Sequence, residues 1–195
     1  MSSQLLWYTT RGAGAVSLVL LSVVVVLGLL ARVRFETRGW PRFLSAAVHR
    51  DLALMTLVFL LLHIVTAVVD PFTHLGLVAA LVPFGSYYRT FWLGLGTIAF
   101  ELLIAIIATS LLRKHIGARV WRSIHWLAYA SWPVAVVHGI GTGTDGTARW
   151  MLTIDAVCVA AVGAALMWRL VAAPPDPLAD ERRLAAERAS FGTDR

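Results

Sequence analysis

Four histidines stand in two pairs inside apolar segments: His49 and His63 fourteen residues apart in one, His125 and His138 thirteen apart in another. An ionisable side chain inside a bilayer costs about 3 kcal/mol or more, so such residues are rare there and usually mark a function. Imidazole is the commonest side-chain metal ligand and a frequent axial ligand of haem iron. Two pairs on two helices have the layout for two haems, one above the other across the membrane. Each iron would be clamped from both sides. Such iron has no free axial position and suits electron transfer more than oxygen chemistry. The opposing reading makes the histidines structural, each hydrogen-bonding to a neighbouring helix. Four of them, level in two layers, favour ligation.

The segments that carry them are membrane-like. The chain has 195 residues, 58% of them hydrophobic and 14% charged, with a mean hydropathy of +0.75. A soluble domain is near half apolar and a quarter charged. The excess comes in long blocks such as Ser17 to Ala31. Five spans are expected, roughly Gly12 to Ala31, Leu52 to Val69, Phe91 to Leu112, Val120 to Ile140 and Trp150 to Val171. Each is long enough to cross about 30 Å of hydrocarbon at about 1.5 Å per residue. The first is too long for a signal core and is followed by arginines, not a cleavage site, so it reads as a span. The outer loop after Asp70 holds HLGLVAALVPFG, too short to span, and is expected to lie on the surface and cap a cofactor there. The fold class is therefore all-α: a polytopic bundle of about five membrane helices with a short outer interfacial helix. Residues 1–172 form the membrane domain and 173–195 a short polar cytoplasmic tail, which the prolines of PPDP separate from the last span.

Basic residues set the orientation. Fourteen Arg and Lys fall between spans one and two, between spans three and four, and after span five, against three (Arg11, Arg89, Arg149) on the other side. The positive-inside rule puts the fourteen in the cytoplasm, with the amino terminus outside and the carboxyl terminus inside an inner (plasma) membrane. Lipid headgroups account for the net charge of +6, with no nucleic-acid motif beside it. Haem propionates need cations. Arg50, Arg113, Lys114 and Arg122 are placed for an inner haem, and Arg89 or Arg149 for an outer one.

Spans two and four run the same way, so His49 pairs with His125 near the cytoplasm and His63 with His138 toward the outside. Fourteen helical residues rise about 21 Å and return His63 to within about 40° of His49. Thirteen leave His138 about 140° from His125 in a straight helix. Pro133 lies between and must disturb the ladder, though spacing alone does not show that it restores the phase. His74 and His115 fall in loops and read as solvated, with His74 an alternative outer ligand. Glu101 and Asp155 lie within spans, either on a proton path or quinol contact, or protonated and hydrogen-bonded to a neighbour. Cys158 reads as a small buried hydrophobe. Gly141 to Gly146 spells a dinucleotide-binding glycine pattern, but between two membrane helices it reads as a turn.

The stretch from His49 to His138 resembles the ferric reductase-like transmembrane domain. That superfamily includes the NADPH oxidases, the ferric reductases and the haem-binding membrane subunit of bacterial periplasmic methionine-sulfoxide reductase. The matching features are the fourteen and thirteen histidine spacings on the second and fourth spans. The segment ARVWRSIHWLAYASWPVAVVHG (Ala118 to Gly139) carries the Trp-Arg-x-x-His-x-x-x-Tyr core and second histidine. The resemblance implies haem b, electron transfer across the membrane, and a workable thirteen spacing. Ferric reductases and NADPH oxidases continue into a flavin and nicotinamide domain that this chain has no room for. The expected protein is thus an oxidoreductase membrane component. It takes electrons from a separate reductase or a membrane quinol and passes them to an outside partner, ferric iron or oxygen. The alternatives are a non-catalytic assembly or interaction subunit with structural histidines, and a quinol-linked cytochrome of another fold.

Overall fold

Long apolar runs leave the backbone no partner but itself in a bilayer, and helices are the result. The computed structural model describes residues 3–32, 42–71, 75–143, 146 and 148–171. Among these are eight helices: α1 (Ser3–Arg32), α2 (Arg42–Val69), α3 (Leu77–Leu81), α4 (Thr90–Leu111), α5 (Arg113–Ile116), α6 (Ala118–His125), α7 (Ala128–Thr142) and α8 (Arg149–Val171). Four of them, α1, α2, α4 and α8, are long and apolar enough to cross a membrane. His74 and the tail after residue 171 lie outside the described residues.

The expected span from Val120 to Ile140 is divided between α6 and α7. At the joint, Trp126 and Leu127 keep helical dihedrals (φ/ψ −64/−23° and −63/−16°). The ladder there tightens: Leu127 N–H bonds to Ile124 O, Tyr129 to Trp126 O and Ala130 to Leu127 O, each across three residues instead of four. Pro133 gives the reason. It has no N–H for the Tyr129 carbonyl, and its ring crowds that carbonyl. The turn just before it closes as 3₁₀-helix.

α1 runs antiparallel to α2, and α4 antiparallel to α7, while α2 and α7 run the same way, as their histidine contacts require. α1 also packs against α8. Val25 and Leu29 meet Val162 and Ala165 in one cluster, and Leu18, Val136 and Cys158 form another, with Trp132 bridging both. Polar ties cross the apolar contacts: Thr10 Oγ1 to Thr66 Oγ1 (2.8 Å), Trp132 Nε1 to Ser22 Oγ (2.9 Å) and Thr97 Oγ1 to Ala79 O (2.9 Å). Such bonds are the usual glue where lipid removes any hydrophobic drive between helices. Large apolar side chains such as Val58, Val157 and Leu170 face outward, as a lipid-facing surface requires.

Candidate functional site

The histidines meet in the two pairs expected of parallel spans. His49 and His125 have ring centres 6.2 Å apart, and His63 and His138 have theirs 6.5 Å apart. The second pair lies at the end of the bundle that carries α3, the first at the end that carries α5.

The 3₁₀ joint resolves the thirteen-residue spacing. A 3₁₀ residue turns about 120° and rises about 2.0 Å, against about 100° and 1.5 Å in an α-helix. Each residue closed in this way adds about 20° and 0.5 Å, so the three short bonds at the joint turn His138 toward the phase of His125 and lift it toward the height of fourteen α-helical residues. Thirteen residues with a tight joint thus match fourteen without one.

Three imidazoles are held the same way. His49 Nδ1 donates to Val24 O (3.0 Å), His63 Nδ1 to Thr10 O (2.7 Å) and His138 Nδ1 to Trp92 O (2.8 Å). A carbonyl only accepts, so each Nδ1 carries the proton and each Nε2 of a neutral ring keeps a free lone pair. Tethering one ring nitrogen to a carbonyl is how proteins fix the tautomer of a metal-binding histidine. Each tether needs a bare stretch of helix. A side chain at i+4 leans back over the carbonyl at i, and here the residue four after the acceptor is glycine every time: Gly28 after Val24, Gly14 after Thr10, Gly96 after Trp92. A Cβ on Gly14 would come 2.9 Å from His63 Nδ1, one on Gly28 would come 3.4 Å from His49 Cε1, and one on Gly96 would overlap the His138 ring. These glycines are functional residues that the sequence reading passed over. Their signal was present: Gly14 and Gly28 repeat the fourteen-residue interval of His63 and His49. His125 is the exception. Its Nδ1 is buried with no hydrogen-bond partner among the described residues, and its ring stacks on Trp121 at 5.1 Å and 28°.

The ring separations test whether a metal fits. A direct N–H···N bond would bring two imidazole centres to about 5 Å. A metal between them, with metal–nitrogen bonds of about 2.0 Å, would set them about 6.3 Å apart. Both pairs sit at the second distance. Among the described residues no group of three or more His, Cys, Asp or Glu gathers around a metal position. Two axial imidazoles alone are the set that a porphyrin, with its own four nitrogens, leaves to the protein.

A cavity of about 340 Å³ opens beside the α3-end pair. His63, His138, Gly14, Gly96 and Ala79 of α3 are among the residues that line it. Arg11 and Asp70 also reach it, a cation not singled out for this site from sequence. Of the two arginines that were, Arg89 donates to Gly141 O (2.6 Å) and Arg149 is exposed at the start of α8. At the other end Arg50, Arg113, Lys114 and Arg122 are all exposed. Arg50 pairs with Asp51 (2.9 Å). The Arg113 guanidinium lies 5.0 Å from the Trp121 ring centre. His115 is exposed on α5.

Three smaller expectations can be placed. Glu101 is exposed near the middle of α4, facing away from the bundle, so its surroundings are not those of a buried acid. Asp155 is buried, yet neither carboxyl oxygen has a hydrogen-bond partner, so the neighbouring-helix bond expected of it is not made. Gly141 belongs to α7 and packs under the Trp92 ring, so the glycine pattern begins inside a helix and not in a turn.

No curated protein and no solved structure matches the chain. The family model for the ferric reductase like transmembrane component matches residues 13–136, a stretch that takes in His49, His63 and His125 and stops just short of His138. The layered histidine pairs and that match agree, and the chain belongs to the ferric reductase-like transmembrane component family.

Proposed function

We propose that this chain is a membrane b-type cytochrome with two haems, one at each histidine pair, carrying electrons from the cytoplasmic side to an acceptor outside. The observation that carries the reading is the separation of the paired rings, 6.2 and 6.5 Å, too wide for a hydrogen bond between them and right for a shared metal. Bound haem supplies reversible one-electron chemistry at its iron.

The chain's own residues do the rest. His49 and His125 hold the group at the α5 end, and His63 and His138 the one at the α3 end. Val24, Thr10 and Trp92 fix three of the rings through their carbonyls. Arg11 offers the α3-end propionates a cation, and Arg50, Arg113, Lys114 and Arg122 serve the α5 end. The apolar bundle excludes water from the path between. The excess of Arg and Lys at the α5 end supports a cytoplasmic position for that end. A separate reductase or a membrane quinol donates there, and a redox partner, ferric iron or oxygen accepts outside.

The test is the reduced-minus-oxidised spectrum of detergent-purified protein from cells supplied with haem. Split Soret and alpha bands of a low-spin b-type cytochrome are expected. Colourless, folded protein would leave a membrane subunit with structural histidines.

A further inference from the structure

His125 is the one imidazole of the four without a carbonyl, and the reason lies fourteen residues along α4 from the seat of His138. The acceptor Trp92 and its glycine Gly96 recur in register as Ile106 and Ser110. The position that is glycine at one end is serine at the other. Ser110 Oγ (2.7 Å) and Thr109 Oγ1 (3.2 Å) both donate to Ile106 O, so the carbonyl that register offers to His125 is already taken. The same Ser110 Oγ accepts the indole N–H of Trp121 at 3.2 Å. The Trp121 ring then stacks on His125, with the Arg113 guanidinium near that ring.

We propose that Trp121, pinned by Ser110, is the positioning residue of His125 and replaces the carbonyl that orients each of the other three imidazoles. The inference rests on the haem reading of the histidine pairs. A stacked indole fixes the plane of an imidazole but leaves its Nδ1 proton without an acceptor. Rotation of the ring within that plane is restrained less than by a hydrogen bond. The α5-end iron thereby receives one tethered and one stacked ligand, and the α3-end iron two tethered ones. An imidazole with no acceptor on its N–H is a weaker donor to iron than one hydrogen-bonded to a carbonyl, so the two haems are made electronically unequal by one serine-for-glycine difference on α4.

The experiment compares purified full-length wild type with Trp121→Ala, Trp121→Phe and Ser110→Ala. Haem per chain is measured together with the low-spin electron paramagnetic resonance of the ferric protein. The α5-end signal is identified as the one that His49→Ala removes. Trp121→Ala should shift or abolish that signal and lower haem from two per chain toward one, with the α3-end signal unchanged as an internal check of folding. Trp121→Phe keeps a stacking ring and should retain both haems. Ser110→Ala removes the indole's acceptor and should move the α5-end signal the same way by a smaller amount. Two haems and two unmoved signals in Trp121→Ala would overturn the positioning role. So would equal loss of both signals, which would make Trp121 a support of the whole bundle. A wild type without haem would instead overturn the underlying cytochrome reading.

Discussion

The two ends of the bundle carry the same pair of imidazoles on the same two strands of chain, α2 and α6–α7, and hold them differently. At the α3 end both rings are tied by Nδ1 to a helix carbonyl, both rest on a glycine, and a cavity of about 340 Å³ lies beside them. At the α5 end only His49 is tied, and His125 leans on a tryptophan. In all three tethers the residue four beyond the acceptor carbonyl is glycine. At the matching place near His125 stands Ser110, whose hydroxyl, with that of Thr109, occupies the carbonyl instead. The four imidazoles stand on α2 and α6–α7, while the groups that orient them come largely from α1 and α4.

The largest effect expected from breaking this contrast is loss of a ligand. His63→Ala or His138→Ala should remove the α3-end haem and bring haem content from two per chain to one, with the other haem retained. Loss of all haem from either substitution would mean that the two ends do not fold independently.

A substitution that leaves every ligand in place should act next most strongly. Pro133→Ala restores an N–H for the Tyr129 carbonyl and lets the joint relax to α-helix. His138 would then turn away from its partner, by about 20° for each residue that relaxes. Weakened occupancy confined to the α3-end haem is expected in the same haem assay.

The glycine seats give a graded series. Gly96→Ala drives a methyl into the His138 ring and should cost about 1–3 kcal/mol, as overpacking in a tight core does. Gly14→Ala, 2.9 Å from His63, should cost less, and Gly28→Ala, 3.4 Å from His49, least. Thermal unfolding in detergent, followed by haem release, should rank them in that order. An equal effect at all three would show that the glycines serve helix packing in general and not the imidazoles.

Much of this arrangement was legible in the sequence. Apolar blocks gave the spans, and the two histidine spacings gave the pairing and the two layers, because both follow from rise per residue along parallel helices. The interfacial segment at Leu77–Leu81 was legible as a stretch too short to span. What could not be read were effects carried by a few degrees of backbone. The thirteen-residue interval looked out of phase because the tightening before Pro133 depends on which carbonyls it leaves free. The glycines were missed because a glycine in a membrane helix has many uses, and only the carbonyl four residues earlier identifies this one. Arg11 lines the α3-end cavity, and nothing in its position in the sequence marked it for that. Glu101 was placed correctly along α4 but not around it: a span so uniformly apolar gives no stripe from which to tell its inner face from its outer.

The most direct test is a pyridine-haemochrome assay on quantified, detergent-purified wild-type protein. Two b haems per chain are expected, one for each imidazole pair. Protein that is folded and free of haem after expression with ample haem would contradict the ligand role of all four histidines.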